Sequence, residues 1–224
     1  HGRIRAIDIP AEYRSKVTVA ADMEGVKAIR AVTALPGFKV SEQPALADGK
    51  VRYVGELVAM CLATTRAEAE DIAQTLSVDF DELPAVHDMI RARDADAPLI
   101  HEHWDENVFL ESVVEDPDFE AKAAKATIHV TREFRTARQC MAPIEGRGVV
   151  AQWDSRLEQL IVHSATQMPH IVRTGLSECL GLDHGKVRVV SPDVGGGFGY
   201  KGILLPEEIA VCWLAMQVRH PVRW

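Results

Sequence analysis

The chain has 224 residues, 47% hydrophobic and 26% charged. That is the composition of a globular chain, long enough for one large domain or two ordinary ones, and it excludes extended disorder. The charge balance of 25 basic against 33 acidic residues, net −8, argues against a nucleic-acid partner, and no run approaches the roughly 20 apolar residues of a membrane-spanning helix.

Residues 3–9 and 51–63 read as strands. Within the second, Leu57 to Ala63 is continuously apolar, which predicts a strand buried on both faces. Thr65 and Glu68 have the spacing of a capping box. Ala69, Ile72, Ala73 and Leu76 then mark one face of a helix, and Ser77 to Asp81 alternates as a half-exposed strand does. Strand, helix and strand in that order predict a compact α/β unit. Residues 84–117 hold three prolines and many acids and read as a connection over the surface. Asp116-Pro117 predicts a cap and first-turn proline for a short helix to about Ala124.

Further strands are expected near 126–134, 148–153, 159–164 and 186–191. A helix from about Pro169 to Leu180 fills the gap between the last two, with Gly181 placed to end it. A final helix spans about Pro206 to Val218, with Glu207 and Glu208 at its positive end. The four cysteines, at 61, 140, 179 and 212, form no close metal-binding or redox pair. Cys61 and Cys212 lie in apolar runs and read as small buried hydrophobes. A reducing, cytoplasmic setting agrees with this usage. The opening His1-Gly2-Arg3 and the apolar close at Trp224 read as cut ends of a longer polypeptide.

Three segments carry chemistry. The first is Val194-Gly195-Gly196-Gly197-Phe198-Gly199-Tyr200-Lys201-Gly202. Its glycines allow positive φ and close backbone approach, and its N–H groups can form an anion nest; a glycine-rich turn without a ligand is the plain alternative. The letters Gly197-x-Gly199-x-x-Gly202 imitate a dinucleotide fingerprint. However, the next helix begins at Pro206 rather than at Gly199, and Gln217 and Arg219 stand where a ribose-binding acid belongs. Ile203 after Gly202 excludes a Walker loop. The second segment is Ser164-Ala165-Thr166-Gln167-Met168-Pro169-His170, where a strand gives way to a helix. The uncharged amide of Gln167 can both donate and accept there, or simply cap. The third is Arg138 to Gly148, in which Glu145 and Arg147 read as an ion pair.

In this order the segments resemble the molybdenum-cofactor subunit of the molybdenum hydroxylase family, which includes xanthine dehydrogenases, aldehyde oxidases and aerobic carbon monoxide dehydrogenase large subunits. Asp48 to Glu56 and Asp81 to Val86 are similar to segments of that family's a/b hammerhead domain. Ile144-Glu145-Gly146-Arg147-Gly148 is similar to its Met-Glu-Pro-Arg-Gly region, with Gly146 in place of proline. Thr166 to His170 and Gly195 to Gly199 resemble its two early cofactor segments.

The resemblance implies a mixed α/β (α+β) fold: a hammerhead domain over 1–93, a connecting segment over 94–117, and the first portion of a molybdopterin-binding domain over 118–224. It implies cofactor contact by Gln167, Gly196, Gly197, Phe198 and Gly199. The metal is expected on the pterin dithiolene, with no protein ligand. The implied reaction is oxidation of a small molecule, an aldehyde, a heterocycle or a carbon monoxide-like substrate, with water as oxygen source. The cofactor would be molybdopterin, in its simple or cytosine dinucleotide form, with FAD and [2Fe-2S] clusters on partners. Those partners are the remainder of the large subunit, a FAD-binding medium subunit and an iron–sulfur small subunit, assembled as a homodimer of heterotrimers. The general-base glutamate is expected beyond residue 224, so the catalytic residue lies outside this sequence and the chain by itself is expected to be inactive. Purine-oxidising members carry a glutamate where this chain has Gly202, which argues against a purine substrate. Two alternatives stand beside this reading: a nucleotide-dependent oxidoreductase using the Gly195–Gly202 loop, and a non-catalytic binding module with His101-Glu102-His103 as a metal feature.

Overall fold

The computed structural model describes residues 1–224. The elements, in chain order, are β1 (Gly2–Asp8), β2 (Val17–Val19), β3 (Ile29–Arg30), β4 (Glu42–Gln43), β5 (Lys50–Val51), β6 (Ala59–Cys61), α1 (Arg66–Gln74), β7 (Ser77–Glu82), α2 (Phe119–Ala123), β8 (Val149–Asp154), β9 (Gln159–Ser164), α3 (Pro169–Leu180), β10 (Val187–Val190), α4 (Pro206–Val218) and β11 (Val222–Arg223).

The first half holds a three-stranded antiparallel sheet, β5-β1-β7, and two separate ribbons, β2-β6 and β3-β4. A register shift between Ile4 and Ala6 kinks β1 against β7. Thr65 caps α1 by accepting the Glu68 N–H at 3.2 Å, and α1 buries Ile72. Three expectations change here. The long strand 51–63 is divided into β5 and β6 by a turn in which Gly55 takes φ +99°. β6 pairs only with β2, whereas β7 pairs with β1, so the strand-helix-strand run is shared between two sheets. With one paired neighbour, Leu57 to Ala63 is half-buried rather than enclosed on both faces.

Residues 94–117 are held to this half by polar contacts. Lys50 donates to the Ile100 carbonyl at 2.9 Å and to Glu102 at 2.5 Å. Lys39 N–H donates to the Phe109 carbonyl at 2.7 Å, and Trp104 Nε1 donates to the Val40 carbonyl at 3.3 Å.

The second half is a four-stranded mixed sheet, β10-β9-β8-β11. β8 and β9 form an antiparallel hairpin, whose turn is fixed by Asp154 Oδ1 accepting the Arg156 and Leu157 N–H groups at 2.9 and 3.0 Å. β9 and β10 run parallel, a pairing that requires a crossover, and α3 supplies it. Proline opens α3 and Gly181 closes it at φ +66°, as its composition predicts. α4 is apolar on all sides and buries Ile209, Ala210, Val211, Cys212, Leu214 and Ala215, which is the behaviour of a core helix. No helix is long and apolar enough to cross a membrane. The main core joins Leu160, Val162, Val172, Leu176 and Ile209 of this half to Met23, Ala45 and Leu46 of the first, and Lys27 N–H donates to the Cys179 carbonyl at 2.8 Å between them.

The strand expected at 126–134 is absent. Residues 127–143 carry no regular hydrogen bonding, and Ile128, Val130 and Phe134 are exposed. Their alternation is that of a strand, but without a neighbouring edge the backbone groups have no ladder to join. All four cysteines are free; Cys179 and Cys212 are buried, Cys61 is half-buried and Cys140 is exposed. Burial pushes the Cys179 thiol up to about 11 and that of Cys212 well above its ordinary value, which leaves both inert.

Candidate cofactor-binding site

The site forms where β9 runs into α3. Thr166, buried at this junction, donates its hydroxyl to the Lys201 carbonyl at 3.1 Å and accepts the Met168 N–H at 3.1 Å. Gln167 N–H donates to the same Lys201 carbonyl at 2.9 Å. Ser191, just past β10, donates its hydroxyl to the Thr166 carbonyl at 2.7 Å. Strand end, helix start and glycine loop are thus tied together through backbone atoms, and the direction of Gln167 follows from them.

The loop comes close to Gln167. Gly199 N–H donates to Gln167 Oε1 at 3.1 Å, which fixes the amide so that Nε2 is left as the donor. A Cβ on Gly197 would fall 2.4 Å from Gln167 Cδ and Oε1, so only glycine allows this approach. Gly196 and Gly199 take φ of +94° and +83°, and Phe198 between them takes +53°, a region costly for a residue with a side chain. The result is an aromatic ring held 72% exposed at the head of the loop. Neither the Gly197 nor the Phe198 N–H has an acceptor within the chain. The five residues singled out from sequence, Gln167, Gly196, Gly197, Phe198 and Gly199, are therefore brought together in space.

Glu145 and Arg147 do not pair with each other. Glu145 Oε2 accepts from Lys201 Nζ at 2.7 Å and from Gly195 N–H at 2.7 Å, while Arg147 reaches Glu207 at 2.8 Å. Consecutive turns of an irregular segment point the two side chains to different elements, so proximity in sequence is a poor guide to partner. The Lys201 ammonium, then the Gly195 N–H, hold the Glu145 carboxyl below its ordinary value. The Arg147 guanidinium also lies 5.1 Å from the Tyr200 ring centre and 5.6 Å from that of Trp224, within cation–π range. At the start of α4, Glu208 accepts from the Leu205 N–H at 2.9 Å and from the Ser164 hydroxyl at 2.5 Å. Burial raises its carboxyl above the ordinary range.

Sequence reasoning missed Lys201, which is 1% exposed. The available signal was a single lysine among glycine and apolar residues, Gly199 to Leu205, with a single acid at 145. The His101-Glu102-His103 feature lies elsewhere. His101 stacks on Trp104 with ring centres 4.2 Å apart, burial lowers its pKa, and Glu102 is paired with Lys50. No group of three or more His, Cys, Asp or Glu side chains is arranged to hold a metal. The Gly195–Gly202 loop continues through turns to Pro206 without starting a helix, so the N-terminal phosphate site of a dinucleotide fold is not built here.

Comparison with known proteins shows the family. The aldehyde oxidase and xanthine dehydrogenase a/b hammerhead domain matches residues 1–84, and the molybdopterin cofactor-binding domain matches residues 100–224. The whole chain is 32% identical to 28% of the nicotine 6-hydroxylase large subunit of Paenarthrobacter nicotinovorans, and 31% identical to 30% of the carbon monoxide dehydrogenase large chain of Hydrogenophaga pseudoflava. It therefore spans about three-tenths of the length of these relatives. The quinoline 2-oxidoreductase of Pseudomonas putida 86 superposes on all of the chain with a TM-score of 0.89 at 36% identity, over 29% of its own length. With more than half of its length matched by the molybdopterin cofactor-binding domain, behind a hammerhead domain, the chain belongs to the molybdenum hydroxylase family.

Proposed function

We propose that this chain forms one wall of the molybdopterin pocket in the large subunit of a molybdenum hydroxylase. The single observation that carries the proposal is the contact of Gln167 with the glycine loop: Gly199 N–H holds Oε1, and the missing Cβ of Gly197 leaves room for the amide. The residues present suit the cofactor. Gln167 Nε2 is an uncharged donor for an oxo group, the free N–H groups of Gly197 and Phe198 suit an anion, and the exposed Phe198 ring offers an apolar face.

When bound, molybdopterin supplies two-electron oxidation with water as the oxygen source. Gln167 orients the group through one donated hydrogen bond and leaves its charge unchanged. Gly196, Gly197 and Gly199 let the backbone approach, and Phe198 excludes water from the face it covers. The general base would be a glutamate outside these residues. The hammerhead is read as residues 1–93, with 94–117 as the connection to the binding domain from 118.

The relatives are large subunits or chains of enzymes named for nicotine and carbon monoxide. By likeness, the substrate is a small aldehyde, heterocycle or carbon monoxide-like molecule. Electrons would pass to [2Fe-2S] clusters and FAD on a small and a medium subunit, in a cytoplasmic homodimer of heterotrimers, with the pterin in its simple or cytosine dinucleotide form. In the full-length protein, Gln167→Ala should lower turnover per bound molybdenum by about tenfold or more, the scale of one well-placed hydrogen bond, with little change in unfolding temperature. Wild-type protein purified without molybdenum, or a variant with unchanged turnover, would overturn the assignment.

A further inference from the structure

Lys201 is the most buried charged side chain in the molecule, at 1% exposure. A buried ammonium needs a counter-charge within reach, and Glu145 is the one acid that bonds it, at 2.7 Å. The same carboxylate oxygen accepts the Gly195 N–H at 2.7 Å, and the Glu145 N–H donates back to the Gly195 carbonyl at 3.2 Å. A Cβ on Gly195 would stand 2.6 Å from Glu145 Cβ, so the two backbones are as close as a glycine permits. At the far end of the loop, the Lys201 carbonyl takes the Gln167 N–H and the Thr166 hydroxyl. The loop thus leaves Gly195 and returns at Lys201, and one carboxylate holds both ends.

We propose that the half-exposed carboxylate of Glu145 and the buried ammonium of Lys201 form a clasp that closes the glycine loop, making them positioning residues for Gln167 and Phe198. Resting on the pocket assignment above, the inference gives these two residues a task that touches neither cofactor nor substrate. The clasp acts through distance. With the carboxylate removed, Gly195 loses its acceptor and Lys201 loses its only counter-charge. The Lys201 carbonyl, and with it Gln167, then moves relative to Gly199. A shift on the order of 1 Å at a positioned group is enough to cost roughly a hundredfold in rate.

The test uses the full-length holoenzyme with turnover expressed per bound molybdenum, so a variant that folds or loads poorly is corrected for its occupancy. Glu145→Ala, Lys201→Met and the double variant should each lose roughly a hundredfold in kcat. The double should be no worse than either single, as expected of two parts of one device, and KM should change far less than kcat. Glu145→Gln, which still accepts the Gly195 N–H, should recover part of the loss. The Mo(V) paramagnetic resonance signal of the reduced variants should shift from that of the wild type, a change that loss of global stability alone would not produce. Variants with wild-type kcat per molybdenum and an unshifted signal would overturn the clasp and leave the pocket assignment standing. Wild-type protein without molybdenum would overturn both.

Discussion

Gly197→Ala separates placement of Gln167 from stability of the fold. Gly197 is not at positive φ, so alanine adopts its backbone without strain, and the smaller freedom of the unfolded chain favours the folded state by about 0.4–1 kcal/mol. The new Cβ, however, would lie 2.4 Å from Gln167 Cδ and Oε1 and 2.7 Å from Cγ. All three nearest atoms belong to one exposed side chain, so Gln167 swings and gives up the 3.1 Å bond from Gly199 N–H. That bond contributes about 0.5–1.5 kcal/mol, toward the lower end where water replaces it. The two terms nearly cancel. The net change in stability should stay within about 1 kcal/mol, roughly 2–4 °C for a unit of 150–250 residues. Turnover per bound molybdenum in the full-length protein should nevertheless fall by about tenfold or more, because the amide no longer has its direction. Scanning calorimetry and single-turnover kinetics on the same preparation read both quantities. Unchanged turnover would refute the role of Gln167. A loss of stability well beyond 1 kcal/mol would show that the loop, rather than the side chain, has moved.

Two further substitutions probe the frame. Gly175 lies inside α3, where alanine would gain about 1 kcal/mol in helix propensity, but its Cβ would meet Leu204 Cδ2 at 2.6 Å. Leu204 is itself buried, so overpacking of about 1–3 kcal/mol should win and Gly175→Ala should lower the unfolding temperature; a rise would show that Leu204 can turn aside. Glu208 is raised above its ordinary value of 4.5, chiefly by burial. The folded state therefore keeps this proton to higher pH than the unfolded state, and the associated stability is full below 4.5 and lost as pH rises through the folded value. Glu208→Gln can still accept the Leu205 N–H on its amide oxygen and donate its NH2 to the Ser164 hydroxyl oxygen, reversing that second bond, without titrating. Its stability relative to wild type should improve between pH 4 and pH 8 in urea unfolding, and a pH-independent difference would contradict the raised value.

The legible parts of the fold are those whose signals are local. Pro169 and Gly181 bound α3, and Pro206 with Glu208 starts α4, because a cap or a proline acts within one turn of its own position. The glycine loop and Gln167 were legible as types of residue, and the structure adds that they touch. Pairing was not legible. Residues 51–63 read as one strand, continuously apolar from Leu57, yet Gly55 at positive φ turns the chain, and hydropathy carries no trace of that. The alternation at Ile128, Val130 and Phe134 is real in the sequence, but a strand exists only where another edge meets it. The partners of Glu145 lie 50 and 56 residues away, beyond any spacing rule, so the nearer Arg147 was the natural but incorrect choice.

The glycine loop is ordered without an apolar core of its own. Phe198 and Ile203 are both exposed, and loops with few buried contacts are ordinarily the first to open. Here the order comes from beneath: the Lys201 side chain, the Glu145 carboxylate, the Thr166 hydroxyl and the Ser191 hydroxyl each end on a backbone group or charge at the junction. A support of this kind leaves the upper face free while keeping its backbone fixed. An occupant that covers Phe198 then gains contact area without first having to immobilise the loop, and the cost of ordering that weakens binding to flexible segments is largely avoided. Burial of Lys201 carries its own cost, since an ammonium sealed from water is stabilising only while its partner stays in place. The arrangement therefore makes the loop stiff but brittle: mutations on the exposed face should act on placement alone, and mutations in the support should release both ends of the loop together.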